Sequence, residues 1–211
     1  AGEHPAPGPP CTLALAYGQT HPERCLGFIL RGIFLGSGEE VDWFLNGMGR
    51  VFPEAHRAFL QHIPPSERHE ILDAYARRLF SKNPAEALAA AKSWATYESS
   101  CSTLLPTELP DVTDNGEGLL AIARIEAHYF LNSLFLSDRQ LLDNVDRISH
   151  LPAVIVQGRY DMICPTTSAH SLASAWPKAG LVLVDDAGHS AMEPGIRAAL
   201  VQATENFKKA F

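Results

Sequence analysis

With 211 residues, 46% of them hydrophobic and 19% charged, the chain is long enough to bury one substantial core. Its net charge of −7 argues against nucleic acid or an anionic membrane surface as partner, because both demand a basic face. No apolar run approaches the ~18 residues of a membrane span, and "AGEHPAPGPP" has neither a basic nor an apolar leader segment, so a soluble, cytoplasmic protein is expected.

Residues 1–10 hold four prolines and two glycines and are expected to stand outside the fold. From Thr12 to Pro22 the spacing predicts a helix with Leu13, Leu15, Ala16 and Tyr17 on its apolar side. "CLGFILRGIF" (25–34) is an almost continuous apolar run, the pattern of a strand covered on both faces. Residues 39–149 are helical in rhythm. The stretches "EEVDWFLNGMGRVFP", "SERHEILDAYARRLF", "NPAEALAAAKSWATYESS", "GLLAIARIEAHYFLN" and "RQLLDNVDRISH" are divided by Pro- or Gly-bearing breaks. Asn83 and Pro84 supply a cap and a first-turn proline, and residues 105–118 form the clearest loop.

After His150 the order becomes strand, helix, strand, helix: "AVIVQG" (153–158), "TSAHSLASAWP", "LVLVDD" (181–186) and "GIRAALVQATENFKKAF". The predicted fold class is α/β: a partial parallel sheet from residues 11–38 and 150–211, interrupted by an all-helical cap at 39–149. Cys11, Cys25, Cys101 and Cys164 lack any C-x-x-C pairing and read as small apolar residues. The nine histidines show no metal-ligand spacing, so neither metal nor cofactor is expected.

In a parallel sheet, functional groups collect where strands end at the carboxyl edge. "GRYD" follows one strand and "DAGHS" the next, which brings Asp161 and His189 to that edge in the order acid, then base. A carboxylate fixes an imidazole in one tautomer and stabilises its protonated form, so the imidazole can take a proton from a hydroxyl. Taken singly, Asp161 is also a turn residue and His189 a loop residue; order and context favour the catalytic pair.

The stretches "TLALAYGQTHPER", "LRGIF", "IPPSER", "AAAKSWATYE", "IEAHYF", "GRYDMICP" and "AGHSAMEPGI" together resemble the proline iminopeptidases (prolyl aminopeptidases). These are serine peptidases of the α/β-hydrolase superfamily, and the resemblance runs from Thr12 to Ile196. It implies release of N-terminal proline from peptides by a Ser-Asp-His mechanism, with Asp161 and His189 as two triad members. It also implies that Glu98 and Glu126 meet the charged imino group and that Phe34 lines the proline pocket. Spacing alone would leave each glutamate on a solvated helix face, and Phe34 reads equally as ordinary core.

One part of the pattern is missing. The family writes its nucleophile elbow G-G-S-W-G-S-T-L-A-L-A-Y, where this chain has A-P-G-P-P-C-T-L-A-L-A-Y, so Gly8 stands in the serine's place. Ala6 and Pro10 replace the small glycines of the sharp turn, and the loop that builds the oxyanion hole has no counterpart. Cys11 is flanked by Pro9 and Leu13, not by small residues, and is expected to be structural; Ser168 and Ser190 lie on no elbow. The chain is therefore expected to be a carboxyl-terminal piece of a longer enzyme, or a product of altered splicing or gene prediction, and inactive alone. Two alternatives stand beside this: a non-catalytic binding module for peptides with N-terminal proline, and another α/β-hydrolase such as an esterase.

Overall fold

The computed structural model describes residues 10–106 and 116–209, so the Gly8 position lies outside the described residues. The described chain divides into two units, a sheet unit (Pro10–Ser37, Ser102–Leu105 and Asp138–Phe211) and a helical unit (Gly38–Cys101 and Pro106–Ser137).

The sheet unit is built on three parallel strands, β1 (Phe28–Arg31), β2 (Ala153–Gly158) and β3 (Ala179–Val184), in that spatial order. Central β2 is buried almost throughout, as its continuous apolar run requires when both faces are covered. On one face Val154 and Val156 pack against Ile196, Ala199 and Leu200 of α9 (Pro194–Lys208). Side-chain alternation turns Ala153 and Ile155 to the other face. There α8 (Thr166–Ala175) packs, and the Trp176 ring at its end meets Phe28 of β1 edge-on at 5.2 Å.

The run 25–34 forms a shorter strand than its composition suggests. β1 is only half-buried in alternation, and it ends at Arg31 because Gly32 adopts φ +54, which breaks the ladder. Helix α1 (Pro10–Thr20) buries Cys11, Thr12, Leu15, Gly18 and Gln19, a narrower stripe than expected, and leaves Leu13 and Tyr17 exposed. The helix also begins at Pro10, inside the segment expected to stand outside the fold. Proline's fixed φ suits a first helical turn, where its missing N–H has no partner to lose.

The helical unit comprises α2 (Gly38–Leu45), α3 (Pro53–Gln61), α4 (Ile71–Leu79), α5 (Pro84–Cys101) and α6 (Glu117–Leu131). As the sequence suggested, the Asn83 side chain caps α5, accepting the Ala85 N–H at 3.1 Å. The centre is aromatic. Phe59 of α3 is stacked between Tyr75 at 4.2 Å and Tyr97 at 4.4 Å, with Trp94 edge-on to both Phe59 and Tyr75. The polar tips are satisfied: Tyr75 donates to the Phe59 carbonyl and Tyr97 to that of Phe44.

This unit stops at Ser137, short of the expected boundary at 149. Residues beyond it belong with the sheet because Leu141 of α7 (Gln140–Asp143), Val145 and Ile148 are buried there. The Gln19 side chain donates to the Leu141 carbonyl at 2.6 Å and ties that segment to α1. Among the described residues no single helix is long and apolar enough to cross a membrane.

Phe59→Ala should lower the unfolding free energy by about 3–5 kcal/mol, because it empties the middle of a close-packed stack. Urea unfolding followed by tryptophan fluorescence measures this, and a loss below ~1 kcal/mol would show that the stack is not the core of the unit.

Candidate active site

Two loops at the carboxyl edge of the sheet meet because their strands are neighbours in register, with Gly158 of β2 opposite Val184 of β3. Gly158 makes the meeting possible, since a Cβ there would overlap the main-chain oxygens of Ala187 and Gly188. Main-chain bonds from Arg159 N–H to the Val184 carbonyl and from Tyr160 N–H to the Ala187 carbonyl close the approach.

Asp161 and His189 are thereby brought together. Nδ1 of His189 lies 2.9 Å from Oδ2 and 3.1 Å from Oδ1 of Asp161. The carboxylate side chain is 1% exposed and the imidazole 17% exposed, so the acid is sealed from water while the ring keeps one accessible flank. A buried carboxylate is stable only with its lone pairs filled. Besides the imidazole, Oδ1 accepts the Cys164 N–H at 2.8 Å and Oδ2 accepts an N–H of Gln157 at 3.0 Å. Among the described residues nothing hydrogen-bonds Nε2 of His189, which leaves that atom open for proton transfer.

Gln157 is the residue that sequence reasoning missed. Its side chain is fully buried at the end of β2, and Nε2 donates both to Asp161 and to the Cys164 carbonyl at 2.8 Å. Its Oε1 accepts the Ile33 N–H at 3.2 Å, so the amide cannot flip without losing partners. The available signal was a lone polar residue inside the otherwise apolar run "AVIVQG". Gly32 supplies the remaining wall: its positive φ excludes a side chain, and a Cβ there would stand 2.8 Å from the His189 ring.

Cys11 does not serve the base. Its thiol donates to the Gly32 carbonyl at 3.2 Å and accepts the Phe34 N–H at 3.2 Å, so it ties α1 to the chain after β1. The Phe34 side chain is buried in the same unit. Burial, helped by the charge of Glu54, pushes the Cys101 thiol up to about 12, which keeps it protonated and unreactive. Among the described residues, no cluster of His, Cys, Asp and Glu could hold a metal ion.

In the helical unit the two glutamates differ. Glu126 of α6 is buried and accepts the Trp94 indole N–H at 2.8 Å, whereas Glu98 of α5 is half-buried. Burial pushes the Glu126 carboxyl well above the usual carboxylate range, and the charge of Glu98 adds to the effect; the indole bond opposes both. Neither glutamate is the solvated helix-face residue that spacing alone allowed.

A family model described as the alpha/beta hydrolase fold matches residues 11–195. The chain is 51% identical over 199 residues to a probable proline iminopeptidase of Leptolyngbya boryana, covering 93% of this chain and 62% of the relative. It is 48% identical over 201 residues to a proline iminopeptidase of Arabidopsis thaliana, covering 93% of this chain and 53% of that relative. The chain thus spans between about half and two thirds of the length of these curated relatives. Among solved structures it resembles a 2-hydroxy-6-oxo-6-phenylhexa-2,4-dienoate hydrolase from a Rhodococcus species. That match has a TM-score of 0.56 at 18% identity, covering 96% of this chain and 62% of the other. An esterase from Exiguobacterium antarcticum matches with a TM-score of 0.54 at 14% identity, covering 93% and 63%. Both structural likenesses speak to the fold alone.

Two outcomes follow from the geometry. Gln157→Leu should destabilise the protein by about 2–4 kcal/mol in chemical unfolding, since it strands the buried Ile33 N–H and Cys164 carbonyl and takes one donor from Asp161. An effect under ~0.5 kcal/mol would refute the bracing role. Glu126→Gln should raise the melting temperature at neutral pH and change it little near pH 4. With its folded pKa raised, Glu126 favours the fold fully below its unfolded pKa, and that contribution fades as pH rises towards the folded value. Gln lacks the titration and can still accept the indole N–H, so a variant less stable at pH 7 than at pH 4 relative to the parent would contradict the assignment.

Proposed function

The chain belongs to the alpha/beta hydrolase fold family, and from that premise we propose that it carries the acid and base of a prolyl aminopeptidase. The observation that carries this reading is the Asp161–His189 pair, 2.9 Å apart at the ends of adjacent strands. Supporting it is the 51% identity to a probable proline iminopeptidase. Asp161 holds the Nδ1 proton and fixes the tautomer, so that Nε2 of His189 takes the proton of an attacking hydroxyl and later returns it to the departing amine. In the helical unit, Glu98 and Glu126 receive the positively charged imino terminus; in the sheet unit, Phe34 is the aromatic that the resemblance gives to the proline ring.

The chain by itself performs no turnover in this reading. Gly8 occupies the position that matches the nucleophile, and the Cys11 thiol is already committed to Gly32 and Phe34. A proline arylamide should be left unhydrolysed; turnover at the pace of an ordinary peptidase, abolished by His189→Ala, would overturn the inactivity.

A second reading, a non-catalytic module that binds N-terminal proline peptides, is favoured by the buried Glu126 with its indole partner. A bound cation favours the charged form of Glu126, whose carboxyl is pushed upward by burial, so binding should release protons. Calorimetry with a Pro-Gly peptide should give heats that scale with the buffer's ionisation enthalpy. The heat should vanish for the N-acetylated peptide and for Glu98→Gln; no heat beyond dilution for the unaltered chain would end this reading. An esterase would use Asp161 and His189 equally well but leaves "WATYE" and "IEAHYF" without a purpose.

A further inference from the structure

We propose that Glu193 and Arg31 are positioning residues, which together clamp the main chain of residues 188–190 and so hold the His189 ring against Asp161. The inference rests on the reading of His189 as the base, and it adds two charged side chains to which no role has been given above.

The loop bearing His189 lies outside helix and strand, so its peptide groups need partners from elsewhere. Each comes from a different part of the sheet unit. The Gly188 N–H donates to Oε2 of Glu193 at 2.7 Å. The His189 and Ser190 N–H groups both donate to the Ser102 carbonyl, at 2.8 and 2.9 Å. From the opposite end, the Arg31 guanidinium donates to the His189 carbonyl at 2.6 Å. Glu193 also reaches the strap Ser102–Leu105, accepting the Leu104 N–H on Oε1 at 2.8 Å. One carboxylate therefore bridges the two segments that flank the base.

The place of Glu193 in the chain argues that this bridge is its purpose. It is the N-cap residue of α9, yet its side chain makes no capping bond to that helix. Pro194, next in line, has no N–H to offer. The helix terminus favours a negative charge at this point, and a carboxylate forms strong bonds with main-chain N–H groups. Gly188 completes the fit: a Cβ there would stand 3.0 Å from the Leu104 nitrogen and 3.1 Å from the Ser102 oxygen. A displacement of ~1 Å in a catalytic group can cost ~10²-fold in rate, so two charge-assisted anchors on one three-residue loop have a clear use.

The test uses hydrogen exchange and proton spectra of the isotopically labelled full chain, so it needs no turnover. In Glu193→Gln, protection of the Gly188 and Leu104 amides should fall about tenfold. The low-field His189 Nδ1 proton signal should broaden at lower temperature than in the parent, while the Ile155 and Val156 amides of β2 keep their protection. Arg31→Met should broaden the same ring signal, and Arg31→Lys should recover part of it. Glu205→Gln, at the far end of α9, should alter none of these. Folded Glu193→Gln and Arg31→Met variants with unchanged ring signal and amide protection would overturn the proposal. So would an equal loss of protection across β2, which would make both residues general scaffold. Absence of the Nδ1 signal in the unaltered chain would instead refute His189 as the base, and the Gly188 and Leu104 amides would still judge the clamp.

Discussion

A carboxylate withdrawn from water has to be surrounded by donors, and the way Asp161 meets that demand organises the sheet unit. Its oxygens accept from the Gln157 amide, the Cys164 main chain and the His189 ring. Each donor comes from a separate piece of chain, so the single charge gathers the end of β2, the turn after it and the loop after β3. Gln157 extends the network to Ile33 beyond β1. Removing the charge would leave a set of buried donors facing nothing, which is why such networks tend to be complete or absent.

The helical unit solves a different problem by different means. Its centre is a stack of Tyr75, Phe59 and Tyr97 flanked by Trp94, in which three polar tips point outward to main-chain or carboxyl acceptors. One of those acceptors is Glu126. In the sheet unit the buried acid accepts from several donors; in the helical unit the buried acid has one indole donor and a neighbouring negative charge, and its carboxyl is pushed well above the usual carboxylate range. Two buried carboxyl groups thus sit in contrasting environments, one surrounded by donors and one with a single donor beside a second carboxylate.

Much of this was legible along the chain. The continuous apolar run of β2 reads as a buried parallel strand and that of β3 as its more exposed neighbour, and Asp161 and His189 follow them. Gln157, Arg31 and Glu193 were not legible as site residues, because a single polar residue in a strand or at a helix start has many uses and only its partners tell them apart. Helix α3 was likewise indistinct. Its short stretch "PEAHRAFLQ" carries few apolar residues, and the central role of Phe59 emerges only when Tyr75 and Tyr97 close on it. The division at Ser137 differs from the expected 149 for a similar reason, since Leu141, Val145 and Ile148 have helical spacing whichever unit buries them.

What the order of residues determines by itself is periodicity and succession: which segments are apolar on two sides, which end in an acid or a histidine, and that Gly8 stands where a nucleophile is expected. These are local properties, set by side-chain chemistry and the pitch of helix and strand. What the tertiary structure alone decides is partnership. Whether Cys11 attacks or braces, whether Glu126 is solvated or buried against Trp94, and whether Glu193 caps a helix or grips a loop depend on atoms far away in the chain. Distance in space, and the water excluded along with it, sets the strength of every charge and hydrogen bond involved.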